Sequence, residues 1–341
     1  MHDPYQIDPA RELEPPIPLG RIQPFVTWIL LVANVLVWLA AKGAGGTEDP
    51  QVLLDFGAMF SPLIAEGQYW RLFTGMFLHA NLTHLAMNGF GLFIFGQLVE
   101  RAFGHVRFLI LYILAGLFGS VASYSLNTIV IAAGASGAIF GILGALAAFF
   151  VLQRQTYRNA ARQNVTGVLV LSAISLGYGL ITPQIDNWAH FGGFAAGFVL
   201  GLALSPRYRF TSSPCGLSAG PIDTTSIAGR LWVLPAVAVL LVMGVWLGGA
   251  RLPDSGYIHV LRAESYFEEG DLASSLIEVD KAIELERFSA RAFYLRGLIY
   301  LDQGNAEGAV AELSTAIRLG LADPESRTKA IQLLVSIRSR R

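Results

Sequence analysis

The stretch GASGAIFGILGALAAFFVL, residues 134–152, contains no charged residue and only one hydroxyl, that of Ser136. As a helix, it extends about 28 Å, close to the roughly 30 Å thickness of the hydrocarbon layer of a bilayer. A polar side chain inside an apolar helix is costly in lipid and indicates a functional role. The stretch therefore predicts a membrane-spanning helix that carries a polar site near its N-terminal end.

The charged residues are concentrated away from this helix. Of the 49 charged residues (24 basic and 25 acidic), 19 lie in residues 24–255, about 8% of that region. Another 24 lie in residues 256–341, about 28% of that region, and a soluble domain normally carries about 25%. The mean hydropathy of the whole chain is +0.51. Because few charges fall in residues 24–255, this first region is predicted to be a membrane domain and the second a soluble one.

Net charge and cysteine content argue against a nucleic-acid partner, a disulfide and a cysteine-built metal site. The net charge of −1 gives no reason to expect a nucleic-acid partner. The single cysteine, Cys215, excludes an intrachain disulfide and a cysteine-built metal site. No histidines and carboxylates cluster at metal-ligand spacing, so we expect neither a metal nor an organic cofactor.

The sequence predicts an all-α fold: a polytopic helical membrane bundle followed by a small α-helical soluble domain. Seven apolar stretches are long enough to span a bilayer: 25–41, 82–99, 107–126, 136–153, 165–182, 187–205 and 231–250. The expected domains are an N-terminal tail (1–24), a six-span core (25–205), a linker (206–229), a seventh helix (230–251) and the soluble domain (256–341). Arginines follow spans 2, 4 and 6, which places the N-terminus in the cytoplasm and residues 256–341 outside a plasma membrane.

Polar residues of three predicted spans fall at one depth. With 1.5 Å per helical residue, Ser136 lies about 27 Å above the inner end of its span, and His190 about 24 Å. His84 and Asn88 lie about 25 and 20 Å above the inner end of span 2. Because these helices were placed independently, the common depth favours a single polar site just below the outer membrane surface.

Glycine spacing predicts that two of these helices touch. Gly137 and Gly141 lie four residues apart on span 4, and Gly193 and Gly197 on span 6, which lets backbones approach closely. Such contact would bring the hydroxyl of Ser136 within reach of an imidazole, as an activated nucleophile requires. Taken singly, Ser136 has a plainer interpretation as a helix N-cap and His190 as a helix-to-helix hydrogen bond.

The C-terminal region repeats with a period of 34 residues. Tyr266 matches Tyr300, Gly270 matches Gly304, and Ala282 matches Ala316. This period, with small and aromatic residues, resembles the tetratricopeptide repeat, although the usual closing proline is absent at Arg287 and Leu321. The region is either a folded spacer or a groove that binds a protein partner or presents substrate.

Over residues 24–205 the chain resembles the rhomboid intramembrane serine proteases. The resemblance rests on GASG around Ser136, on AHFGG at 189–193, on the pair His84 and Asn88, on Trp70-Arg71 in the first loop, and on Glu100-Arg101. Together these motifs are specific, whereas a GxSG motif alone also occurs in soluble hydrolases.

The resemblance implies a catalytic dyad of Ser136 as nucleophile and His190 as general base and acid. It assigns the oxyanion to His84, Asn88 and the backbone N–H of Ser136. Supporting positions are Gly134, Gly137, Phe140, His79, Trp70 and Arg71, with Phe140 expected against the histidine ring or in ordinary core packing. Asp186 is expected not to be a third catalytic residue.

The function so predicted is cleavage of single-span membrane proteins within their transmembrane segments, with gating at span 5 and the loop after it. The main alternative is a catalytically silent adaptor whose repeat domain recruits membrane proteins. The presence of both Ser136 and His190 counts against it. A solute transporter would require inverted repeats and charges in mid-span, and the sequence contains neither.

Overall fold

The computed structural model describes residues 22–126, 131–154, 158–182, 185–212, 218–230, 232–251, 254, 256–321 and 323–339. The chain divides into two compact units, residues 1–252 and residues 253–341. Each unit is described by itself below.

The first unit contains eleven described helices. They are α1 (Phe25–Gly43), α2 (Pro50–Asp55), α3 (Ser61–Ala65), α4 (Arg71–Thr74), α5 (Leu82–Gly91), α6 (Gln97–Phe103), α7 (His105–Leu126), α8 (Ser136–Leu152), α9 (Arg158–Ile181), α10 (Asn187–Leu204) and α11 (Val233–Arg251). A π-helical turn at Leu92–Gly96 joins α5 to α6 in one continuous helix.

Six described helices are long and apolar enough to cross a membrane. They are Phe25–Gly43, Leu82–Phe103, His105–Leu126, Gln163–Ile181, Asn187–Leu204 and Val233–Ala250. Helix α8 is apolar but has only 17 residues. The multi-pass membrane bundle is therefore confirmed, whereas a seventh crossing by α8 stays a prediction.

Helix α8 forms the centre of the bundle. Its residues from Gly137 to Phe150 are all buried, and it packs against α7 and α10. Glycines make the contact with α10 possible: a Cβ added at Gly193 would lie 2.8 Å from the carbonyl carbon of Gly137. A Cβ added at Gly197 would lie 2.6 Å from the Cα of Gly141, so the two backbones touch.

The N-terminus of α1 is held by a buried carboxylate. Glu100 is fully buried and accepts hydrogen bonds from the backbone N–H groups of Val26 (2.9 Å) and Thr27 (2.8 Å). It also accepts the Thr27 hydroxyl at 2.6 Å and contacts Nδ1 of His105 at 2.6 Å. These contacts satisfy donors that a helix N-terminus otherwise leaves unpaired.

The described residues include two small antiparallel sheets beside the helices. Strands β1 (Met59–Phe60) and β2 (Ile131–Ala132) pair the first loop with the segment before α8. Strands β3 (Tyr208–Ser212) and β4 (Ser218–Asp223) form a pair inside residues 206–229, which the sequence analysis interpreted as a linker. Ser, Gly and Pro are frequent in this stretch and favour a loop, whereas the strand signal is only a four-residue alternation of aromatic and polar residues, Tyr208-Arg209-Phe210-Thr211.

The β3–β4 pair is attached to the membrane bundle by polar contacts. Nη1 of Arg107, near the start of α7, lies 2.6 Å from Oδ2 of Asp223. Nη2 of the same side chain donates to the carbonyl of Thr225 at 2.8 Å, and the Tyr208 hydroxyl donates to the carbonyl of Ala102 at 2.6 Å. The described strands between α10 and α11 are therefore attached to the helical bundle.

The second unit consists of antiparallel helices. They are α12 (Gly256–Glu268), α13 (Leu272–Leu285), α14 (Ala290–Asp302), α15 (Ala306–Leu319) and α16 (Pro324–Ser339). The turns of the first two helix pairs share one design: Gly270 and Gly304 both have positive φ. Asp271 and Asn305 then cap α13 and α15 through their side chains.

We expect Gly197→Ala to lower the free energy of unfolding by about 1–3 kcal/mol, because the new methyl group would overlap the Gly141 backbone. Gly177→Ala is the matched control, since nothing lies within 4 Å of a Cβ at that glycine of α9. Thermal unfolding of both variants in one detergent measures the difference. Equal melting temperatures would contradict the packing described here.

Candidate active site

Ser136 is the first residue of α8. The N-cap position belongs to Ala135, and no side chain among the described residues caps this helix, so the interpretation of Ser136 as an N-cap is wrong. Gly134, two residues earlier, has φ +141°, a conformation that favours glycine. Its N–H donates to the Gly75 carbonyl at 2.9 Å, which fixes the approach to Ser136 from the first loop.

His84 and Asn88 of α5 lie against Gly134. A Cβ added at Gly134 would be 2.8 Å from Nε2 of His84 and 3.4 Å from Nδ2 of Asn88. The two side chains share a face because they are four residues apart on a helix. Within the part of the chain that the structure describes, Nδ2 of Asn88 is buried and has no hydrogen-bond partner. A free N–H donor therefore lies beside the Gly134–Ser136 segment.

His190 is buried and stacks on Phe140. The ring centroids are 4.3 Å apart and the ring planes are inclined by 7°, which agrees with the position expected for Phe140. Across the described residues, Nδ1 of His190 is buried without a hydrogen-bond partner. The orientation of the imidazole therefore comes from ring stacking instead of a carboxylate.

Helix packing brings the neighbours of Ser136 and His190 together. A Cβ added at Gly137 would lie 3.3 Å from the carbonyl oxygen of Ala189 and 3.7 Å from its Cβ. The residue that follows Ser136 is therefore in contact with the residue that precedes His190. Residues from α5, α8 and α10 thus surround one point of the bundle.

Asp186 is engaged elsewhere. It is the N-cap of α10: its Oδ1 accepts the N–H of Ala189 at 3.0 Å, and its Oδ2 accepts the Ser123 hydroxyl from α7. The carboxylate thereby ties the start of α10, one turn before His190, to α7. Sequence reasoning considered Asp186 only as a catalytic acid, although an Asp three residues before a backbone N–H is a known capping pattern.

The supporting residues of the first loop have structural contacts. Arg71 is buried and donates from Nη1 to the carbonyls of Leu54 (2.7 Å) and Ala58 (3.1 Å). Its guanidinium carbon lies 4.6 Å from the centre of the Trp70 ring. Arg71 therefore braces the loop that pairs with the segment before Ser136.

His79 lies behind His84. The two rings meet edge to face with centroids 5.2 Å apart. Burial, reinforced by the neighbouring His84, lowers the pKa of His79 to about 3. A neutral, buried ring at this place packs against the ring of His84. The described residues include no group of three or more His, Cys, Asp or Glu that could hold a metal ion.

Comparison with known proteins identifies similar chains. The Rhomboid domain family model matches residues 66–207. Rhomboid protease GluP of Bacillus subtilis (strain 168) is 38% identical over 182 residues, covering 53% of this chain and 35% of that protein. RHOMBOID-like protein 5 of Arabidopsis thaliana is 32% identical over 240 residues, 60% of this chain and 76% of that protein. Putative rhomboid protease YdcA of Bacillus subtilis is 33% identical over 185 residues, 53% of this chain and 88% of that protein.

These matches cover only part of each chain. The chain spans 35% of the length of Rhomboid protease GluP. The family match contains every candidate site residue and ends at residue 207, before β3, β4, α11 and the second unit.

We expect Asp186→Ala to destabilise the start of α10 by about 0.5–2 kcal/mol, because the cap of Ala189 is lost. Asp186→Asn is the control, since asparagine is also a good N-cap and keeps an acceptor for that N–H. Hydrogen exchange of the α10 amides in detergent reports the difference. Faster exchange in the asparagine variant than in the alanine variant would be inconsistent with a capping role.

Proposed function

Because this chain belongs to the rhomboid family, we propose that it is an intramembrane serine endopeptidase acting on transmembrane protein substrates. One observation carries the proposal: the Gly134–Gly137 segment lies between His84 and Asn88 on one side and the residue before His190 on the other. A nucleophile, a base and two donors then surround a single point, as acyl transfer requires.

In the proposed mechanism, the Ser136 hydroxyl attacks the carbonyl carbon of the scissile peptide bond while His190 takes its proton. A tetrahedral oxyanion forms, and its collapse breaks the C–N bond as His190 gives the proton to the leaving amine. Water then enters, loses a proton to His190, and releases the acyl group from Ser136 by the same steps in reverse. No metal or organic cofactor takes part.

The oxyanion needs hydrogen-bond donors that are already in place. The backbone N–H of Ser136 is one, because the first N–H groups of a helix have no partner within it. The unpaired Nδ2 of Asn88 and the ring of His84 lie beside Gly134 and supply the others. Positive φ at Gly134 supports this role, since a side chain there would occupy the space that these donors need.

Two further features support a dyad without a carboxylate. The Nδ1 atom of His190 has no partner among described residues, and Asp186 is occupied by Ala189 and Ser123. Stacking on Phe140 holds the ring in one plane as it gains and loses its proton.

Water must reach this site although the bundle lies in lipid. Ser136 and His84 are partly exposed, whereas the flanking Gly137 and Phe140 are buried. Such a site opens to water at one end of the bundle, where polar groups are tolerated. We further propose that the protein lies in the plasma membrane with its N-terminus in the cytoplasm. The site then faces outward, and the C-terminal unit lies outside the cytoplasm.

The substrate segment must leave its helical form before its peptide bond can be attacked. We therefore assign single-span proteins with small residues or proline near the outer membrane surface as substrates. Entry beside α9 agrees with the exposure of its C-terminal end, where Leu180 and Ile181 are 82% and 78% exposed.

The second unit is assigned to protein binding. Its two similar helix pairs, with matched glycine turns and side-chain caps, support a tetratricopeptide-like array. A groove of this kind would bind a partner or present substrate to the membrane unit.

We expect Ser136→Ala and His190→Ala to abolish cleavage of a transmembrane reporter by the purified protein, because each removes a reacting group. Ser120→Ala, a serine on α7 outside the site, is the matched control and should retain activity. Product formation in reconstituted liposomes measures all three. Cleavage that survives Ser136→Ala, with folding verified by melting temperature, would refute the assigned nucleophile.

We expect Asn88→Ala to lower kcat by about 10²–10³-fold while leaving measurable activity, because one oxyanion donor is lost. The effect should fall on kcat much more than on KM, since the donor acts on the transition state. Steady-state kinetics on the same reporter separate the two constants. A change confined to KM would assign Asn88 to substrate binding instead.

A further inference from the structure

The loop between α13 and α14 lies at the end of the second unit where α12 begins. Helices α12 and α13 run antiparallel: Ser275 Oγ donates to the Ala263 carbonyl at 2.6 Å. A Cβ added at Gly256, the first residue of α12, would lie 2.7 Å from Cγ of Glu286. The residues that follow Glu286 are therefore beside the N-terminus of α12.

Chain connectivity places this end of the unit near a bilayer. The apolar helix α11 ends at Arg251 and α12 starts at Gly256. Five residue steps span at most about 17 Å when fully extended. The opposite end of α12, with the turn at Gly270, lies about 20 Å farther along the helix. Of the two ends of this unit, the one with the α13–α14 loop is therefore tethered at the membrane, whichever side of the membrane α11 reaches.

This tethered end carries two exposed apolar side chains. Phe288 is 84% exposed and Leu285 is 46% exposed. The value for Phe288 is as high as the 82% of Leu180 on the membrane helix α9. We call Leu285 and Phe288 the apolar tip.

The second repeat shows that an exposed apolar residue is not needed at this position. Thirty-four residues later, the position of Phe288 is occupied by Ala322 and that of Arg287 by Leu321. Leu321 is buried in a cluster with Tyr294, Leu313 and Ala330, so the second repeat turns its apolar residue inward. In the first repeat, the position equivalent to Leu321 is Arg287, and the apolar residue is the next one, Phe288, whose side chain is exposed.

We propose that the apolar tip inserts into the interfacial layer of the bilayer that holds α11, and so docks the second unit on the membrane surface. This layer is roughly 5–8 Å thick on each side and is where aromatic side chains are enriched in membrane proteins. Arg287, exposed between the two apolar residues, is suited to lipid headgroups because its charged end can remain in water. The proposal is independent of the proposed protease activity.

The test uses the full-length protein in nanodiscs with one molecule per disc. On a Cys215→Ser background, which removes the only cysteine, a bimane fluorophore is attached to Arg287→Cys beside the tip. The matched control is Gln303→Cys, exposed in the α14–α15 loop at the opposite end of the unit. Lipid with a headgroup spin label serves as quencher.

We expect strong quenching at residue 287, none at residue 303, and loss of most of the quenching at 287 when Phe288→Ser is added. Phe288 is exposed, so its replacement should leave the unit folded, which circular dichroism checks. Equal quenching at 287 and 303, or quenching at 287 that Phe288→Ser leaves unchanged, would overturn the proposal. A blue shift at 287 without quenching would also overturn it, because a protein surface would then cover the tip.

Discussion

Helices α8 and α10 touch backbone to backbone, and this contact depends on glycine at positions where any side chain would collide. Gly193 lies over the carbonyl of Gly137, and Gly197 over Gly141. Because Ser136 directly precedes the first of these contacts and His190 lies one turn before Gly193, helix packing sets the separation of hydroxyl and imidazole. The geometry of the site is therefore a property of backbone contact, which is stiffer than contact between long side chains.

Hydrogen bonds hold the two segments that helix packing alone does not position, namely the start of α10 and the chain that leads to Ser136. The start of α10 is capped by Asp186 and tied to α7 through Ser123, while the segment before Ser136 is held by Gly75 and by strand β1. In hydrocarbon, backbone groups without a partner are expensive, so irregular segments persist only where such bonds exist. The irregular chain around Ser136 is stabilised in this way on both sides.

Much of this structure could be predicted from sequence, because apolar length and glycine spacing act locally. The predicted spans 82–99 and 107–126 correspond to helices Leu82–Phe103 and His105–Leu126, and Phe140 lies on His190 as expected. The alternative interpretation of Ser136 as an N-cap was wrong, because Ala135 holds that position. The β3–β4 pair escaped prediction because its strand signal is short, a four-residue alternation at Tyr208-Arg209-Phe210-Thr211, and because β4 contains Pro221, which argues against a strand. Contacts such as Gly75 with Gly134 join residues far apart in the chain, and a single sequence contains no signal for them.

Strand β1 has a consequence for how such a chain can vary in evolution. Between Met59, which pairs with Ala132, and Gly75, which binds Gly134, the first loop is fastened at both ends to the segment leading to Ser136. An insertion or deletion between Met59 and Gly75 would shift these two contacts relative to each other and would displace Ser136. Length variation should instead accumulate upstream, around Gly45 and Gly46, where the chain makes no such contact in the described structure.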